Sequence, residues 1–182
     1  MNKLTTNKMI LYVLAIIILF YIPIFTIIEK GSALKKGTEY LFRVETFDPY
    51  DAFRGNYLNI TFKENTVKGK KAGLSEDYKT SECYAIIEKD SNGFAYFKDI
   101  SLQKPEKDLN YYKTTARYRQ YNDEYIIETP TRYYMNENNS EIAEKVYRDN
   151  IDSTYVKVRV KDGNMVIIGV YVDDILIDSI ED

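Results

Sequence analysis

The stretch Asp48 to Phe62, D-P-Y-D-A-F-R-G-N-Y-L-N-I-T-F, gathers two acids, a proline, an arginine and a glycine just ahead of alternating apolar residues. Asp48 and Asp51, three apart, could share a cation or act as paired carboxylates. Either role needs further oxygen ligands or a partner acid, and the neighbouring sequence supplies neither in a recognised spacing. A structural role asks for less. Asp48-Pro49 starts a turn, the Asp side chain accepting from backbone N–H groups ahead of it and Pro presetting φ. Arg54 can fork onto a carboxylate, and Gly55 frees the backbone before the strand. The stretch therefore reads mainly as a structural device centred on Arg54, with no catalytic, cofactor-binding or metal-binding residue assigned.

Other chemistry is pruned by composition. The chain has 182 residues, no histidine and one cysteine. The usual general base near neutral pH, the Ser-His and Cys-His pairs and the common zinc ligand are thereby missing. Cys83 opens a predicted strand with nothing to form its thiolate, so it reads as a packed, inert thiol. A Ser-Lys dyad using Ser75 or Ser81 has no signature to support it. The acidic end, V-D-D-I-L-I-D-S-I-E-D, could attract calcium but reads as solvated surface. Asn59 and Asn138 are formal glycan acceptors that matter only in a eukaryotic secretory context. Lys+Arg 25 against Asp+Glu 28 leaves a net charge of −3, so no global basic field invites nucleic acid. Eighteen tyrosines would suit a sugar-binding face, but aromatics also suit pleated surfaces, and that reading is preferred.

The elements that must position these residues begin with Met9 to Ile28, which holds no charged residue. Twenty residues of helix span about 30 Å, the thickness of a bilayer's hydrocarbon core. Pro23 predicts a kink near the outer end. A cleaved signal peptide competes, with Lys3 and Lys8 as its basic region and Gly31-Ser32-Ala33 as its cleavage site. The apolar run exceeds the length of a signal core and favours an uncleaved anchor contacting the lipid bilayer. Residues 1–8 then form a short cytoplasmic tail, 9–28 the transmembrane helix, 29–37 a polar linker, and 38–182 a single extracytoplasmic domain on the cell membrane. The orientation rests on that layout, because Lys30, Lys35 and Lys36 offset Lys3 and Lys8 in the positive-inside count.

Beyond residue 37 a period of two dominates. Tyr40, Phe42, Val44 and Thr46 share one face; Leu58, Ile60 and Phe62 share another, as do Val156, Val158 and Val160. These are half-buried antiparallel strands. Turns at Asp162-Gly163, Asn122-Asp123 and Ser91-Asn92-Gly93 predict three hairpins. Ile142, Ala143 and Val146 fall at helical spacing behind a capping box of Asn138 and Glu141, which predicts one helix over 139–149. The polar stretch Glu64 to Ser81 predicts a mobile loop. The fold class is mainly β, an antiparallel β-rich domain with one short helix, preceded by one N-terminal transmembrane helix.

These residues carry a resemblance to the GDYXXLXY family of bacterial membrane-anchored proteins. In the naming motif Gly55 and Tyr57 are kept, Asn56 stands for Asp, Ile60 for Leu and Phe62 for Tyr. Upstream, the family's D-P-x-D-x-x-R-G is matched by Asp48, Pro49, Asp51, Arg54 and Gly55. R-Y-Y-M-N-E-N-N-S-E-I-A-E-K-V-Y-R and V-R-V-K-D-G-N-M-V-I-I-G-V-Y-V-D-D resemble two further family blocks. The resemblance implies no established biochemical activity and no cofactor. It implies a multi-spanning membrane protein as partner, because family members are often encoded beside one. If the family's Asp were a catalytic acid, Asn56 could not replace it, since an amide does not titrate. The alternative, from another class, is an envelope hydrolase or a ligand- or metal-binding protein using Asp48, Asp51 and Arg54.

Overall fold

The uncharged run lies inside one long helix, α1 (Lys3–Lys36), of 34 residues, about 51 Å from end to end at the α-helical rise. The computed structural model describes residues 3–45, 57–69, 74, 80–106, 109–135 and 140–180. From Met9 to Ile28 every Leu, Ile, Val, Met, Phe and Tyr side chain is at least 47% exposed. The helix is therefore long and apolar enough to cross a membrane, and its apolar surface is not covered by the rest of the chain. It continues through Pro23 as one element.

In place of the polar linker expected over 29–37, α1 stays helical to Lys36. The reason is tertiary: Ala33 is fully buried, and burying that face offsets the low helix propensity of Gly31 and Ser32.

The strands follow in chain order: β1 (Thr38–Glu45), β2 (Tyr57–Asn59), β3 (Thr61–Phe62), β4 (Thr66–Lys68), β5 (Thr80–Lys89), β6 (Ala95–Ser101), β7 (Tyr111–Arg119), β8 (Glu124–Ile127), β9 (Arg132–Tyr134), β10 (Thr154–Lys161), β11 (Asn164–Val172) and β12 (Ile175–Leu176). One helix, α2 (Ser140–Asp149), interrupts them. A first antiparallel sheet has the order β12-β11-β10-β1-β3 and a second the order β4-β8-β7-β5-β6, with β2 and β9 paired apart from both. The chain is thus β-rich and antiparallel, as its alternation predicts.

Alternation also decides what is buried. Tyr40, Phe42 and Val44 of β1 and Val156, Val158 and Val160 of β10 point inward, as do Cys83, Ala85 and Ile87 of β5. Both sheets feed one apolar core. Phe42 lies at its centre, its ring 4.9 Å from that of Phe62 and 5.4 Å from that of Phe97 on the other sheet. The three expected hairpins all form, β5–β6, β7–β8 and β10–β11. In the last, Gly163 takes φ +83°, and a Cβ there would stand 2.9 Å from the Tyr111 ring, so the turn is closed to other residues on two counts. The amphipathic α2 buries Ala143 and Tyr147, and the Tyr147 hydroxyl donates to the Glu45 carbonyl.

One further expectation needs adjustment. The polar stretch Glu64 to Ser81 contains β4, whose Val67 is buried and which pairs with β8. A single inward side chain and a backbone ladder suffice for a three-residue strand, and composition does not register them. The capping box at Asn138 and Glu141 lies outside the described side chains.

Candidate functional site

Most of the opening motif, Asp48, Pro49, Asp51, Arg54, Gly55 and Asn56, lies outside the described residues. Its end does not. Tyr57 opens β2 opposite Tyr134, the rings 5.7 Å apart, with the Arg132 guanidinium 5.0 Å from the Tyr57 ring centroid. Leu58, Ile60 and Phe62 are buried to 1% exposure or less. The Ile60 N–H donates to the Thr131 carbonyl. This half of the motif is core and strand.

The forked arginine expected at Arg54 has a described counterpart in Arg43. From the outward face of β1, its Nη1 donates to Glu64 Oε1 at 3.0 Å and its Nη2 to Asp90 Oδ2 at 2.6 Å. The guanidinium lies 4.2 Å from the Phe94 ring centroid. Asp90 uses its other oxygen to accept from the N–H groups of Asn92 and Phe94, closing the β5–β6 turn. The Arg43 bond and then these backbone bonds hold the Asp90 carboxyl below its ordinary range.

The remaining titratable groups point the same way. The Glu39 and Glu88 carboxyls are lowered by hydrogen bonds from Arg159 and Lys98. Burial pushes the Cys83 thiol up to about 11. Burial, with the bond its hydroxyl donates to Asp174, pushes Tyr155 up to about 12. Every shift resolved among the described residues moves its group away from neutrality, opposite to the tuning of a general acid or base. Among the described residues no group of three or more His, Cys, Asp or Glu could hold a metal ion. The acidic end is used structurally: Asp174 accepts from Tyr155 and Asp178 from Tyr133. The tyrosines serve largely as cross-strand neighbours, Tyr155 with Tyr171 and Tyr118 with Tyr125.

The arrangement that sequence reasoning missed is the junction of α1 with the first sheet. Arg159, on the outward face of β10, donates through Nε and Nη2 to Glu39 Oε1 at 3.0 and 2.6 Å, and through Nη1 to the Leu34 carbonyl of α1. A cation on the last carbonyls of a helix also opposes the negative end of its dipole. Lys161, two residues on, donates to Ser32 Oγ at 2.8 Å. The Gly37 N–H donates to the Ala33 carbonyl at 2.8 Å, and a Cβ at Gly37 would stand 2.5 Å from that oxygen and 2.9 Å from Arg159 Cβ. Helix and strand are thus in backbone contact at this point. The outward phase of Arg159 is readable in sequence, but its partners, more than a hundred residues away, are not.

Grooves flank the junction. One, of about 410 Å³, opens between the end of α1, the start of β7 and the end of β10, with Lys36, Lys104 and Lys161 on its walls. A second, of about 260 Å³, lies between the β10–β11 turn and α1 at Phe25, Ile28 and Glu29.

Fold and junction define a class: a β-rich domain built directly onto the end of a long apolar helix. The family model of the GDYXXLXY protein matches residues 19–170, and the chain belongs to that family. The match begins inside α1 and takes in the junction. Searches of the curated proteins and of the solved structures each return no match.

Proposed function

We propose that this protein is a single-pass subunit of the cell membrane whose β-rich domain, held outside the cytoplasm, docks on a multi-spanning membrane protein and performs no catalysis of its own. The observation that supports this reading is the junction. Arg159 and Lys161 hold the last turns of α1, and Ala33 is buried against the sheet. A domain fixed to its helix in this way has a set height and tilt above the bilayer. A catalyst acting on a dissolved substrate gains nothing from that. A subunit that must meet a second membrane protein at a given height does, because the ordering cost is met before binding. The carboxyls, tyrosines and thiol displaced from neutrality fit a domain that binds and does not turn over substrate.

The test is affinity purification of the tagged full chain in mild detergent, followed by mass spectrometry. One multi-spanning protein should be enriched over a control single-pass protein carrying the same tag. Recovery of the same proteins with both baits would sink the subunit reading.

A further inference from the structure

The chain is net acidic, yet lysines collect where α1 enters the domain. Lys36, Lys104 and Lys161 line the groove of about 410 Å³, and Asp162 is the one acid among the described residues that line it. Lys36 and Lys104 are exposed and have no carboxylate partner among the described residues, and Lys161 is shared between Ser32 and Asp162, the latter at 4.0 Å. Among the described residues, three ammonium groups against one carboxylate leave the groove cationic. Leu109, Pro105 and Tyr111 supply an apolar wall beside them.

Its position specifies the ligand. Lys161 and Asp162 border this groove and also the smaller cavity against Phe25, Ile28 and Glu29 of α1. Glu29 is the first charge after the apolar run. The groove therefore begins level with the end of the segment read as spanning the bilayer, which is the depth of lipid headgroups. Lysines at that depth attract anionic lipid, and the volume falls in the range of small-molecule sites. We propose that the groove walled by Lys36, Lys104 and Lys161 binds the phosphodiester headgroup of an anionic phospholipid, seating the domain on the membrane surface. This rests on the reading of α1 as a membrane span.

The probe is native mass spectrometry of the full chain in detergent, titrated with dioleoylphosphatidylglycerol or dioleoylphosphatidylcholine. The wild type should hold the phosphatidylglycerol adduct at least about tenfold better, since each lysine near an anionic surface contributes a factor of about five. Lys36→Gln/Lys104→Gln, which leaves the Lys161–Ser32 bond in place, should lose most of that preference. Lys68→Gln/Lys145→Gln should keep it. Lys68 pairs with Glu124 of β8, which lies opposite Arg119 at the far end of β7, about 26 Å from Tyr111 at the strand rise. Equal binding of both lipids, or a preference unchanged in the groove variant, overturns the proposal. So does binding of glycerol 3-phosphate without any lipid adduct, which would make the ligand a soluble phosphate. Carbonate extraction of the same membranes scores the span separately. Protein released by carbonate removes both readings, whereas protein retained without lipid preference removes the lipid site alone.

Discussion

Arg43 ties three segments together with one side chain: β1, the turn after β3 at Glu64, and the β5–β6 turn at Asp90. Its planar fork matches two carboxylates at once and stacks on Phe94, which a lysine cannot reproduce. Arg43→Ala should lower the melting temperature of the full chain in detergent by several degrees, and Arg43→Lys should recover only part. The linkage has a definite sign. The folded-state pKa of Asp90 lies below its unfolded value, so the stability it contributes is fully present above the ordinary carboxylate pKa. That contribution is lost as pH falls through the folded value. The gap between wild type and Arg43→Ala should therefore be full at pH 7 and shrink below about pH 4. A gap independent of pH would assign the loss to packing against Phe94 alone. At this scale the sequence is partly legible. Arg43 and Arg159 fall on outward strand positions by simple alternation, but their acids are fixed only by the fold. Arg54 stands out in the sequence because its local neighbours are acids, and it lies outside the described residues. Arg43 has comparable partners, separated from it by 21 and 47 residues, where no local pattern can show them.

Gly31, inside α1, and Gly37, just past its end, make opposite demands. Gly31 is helical with open space around it, while a Cβ at Gly37 would meet the Ala33 carbonyl, Arg159 Cβ and the Val160 backbone. Gly31→Ala should leave stability unchanged or raise it by up to about 1 kcal/mol, the helix propensity difference. Gly37→Ala should cost about 1–3 kcal/mol, as overpacking does. It should also quicken trypsin cleavage after Lys35 and Lys36, which thermal melts and timed digests would read in parallel. Similar behaviour of the two variants would mean that helix and sheet are not locked there. The strands carrying most of the core were legible because β1, β5 and β10 alternate cleanly over eight residues or more. The junction was not, because G-S-A-L-K-K-G has the composition of a linker. What makes it helical is the burial of Ala33 and the two β10 cations, both tertiary. β4 escaped for the same reason, with Val67 its one buried side chain.

As a whole the molecule is an exposed apolar rod joined by hydrogen bonds to a net-acidic β domain, with its lysine-lined groove at the join. That asymmetry makes topology the property to measure first, and the single cysteine makes it measurable without removing a native residue. Cys83 is 1% exposed and its thiol is pushed up to about 11 by burial, so at neutral pH almost none is thiolate and little reagent can reach it. The unaltered chain should therefore stay unlabelled by a membrane-impermeant maleimide in intact cells that express it. Lys145 is exposed on α2, and Lys145→Cys adds one reactive thiol on the domain. With the domain outside the cytoplasm, that variant should label in intact cells to the same extent as after lysis, and the protein should resist carbonate extraction. Labelling only after lysis, with the protein still in the membrane, would place the domain in the cytoplasm. The lysine-lined groove would then face the inner leaflet, where the positive-inside bias of Lys30, Lys35 and Lys36 would place it.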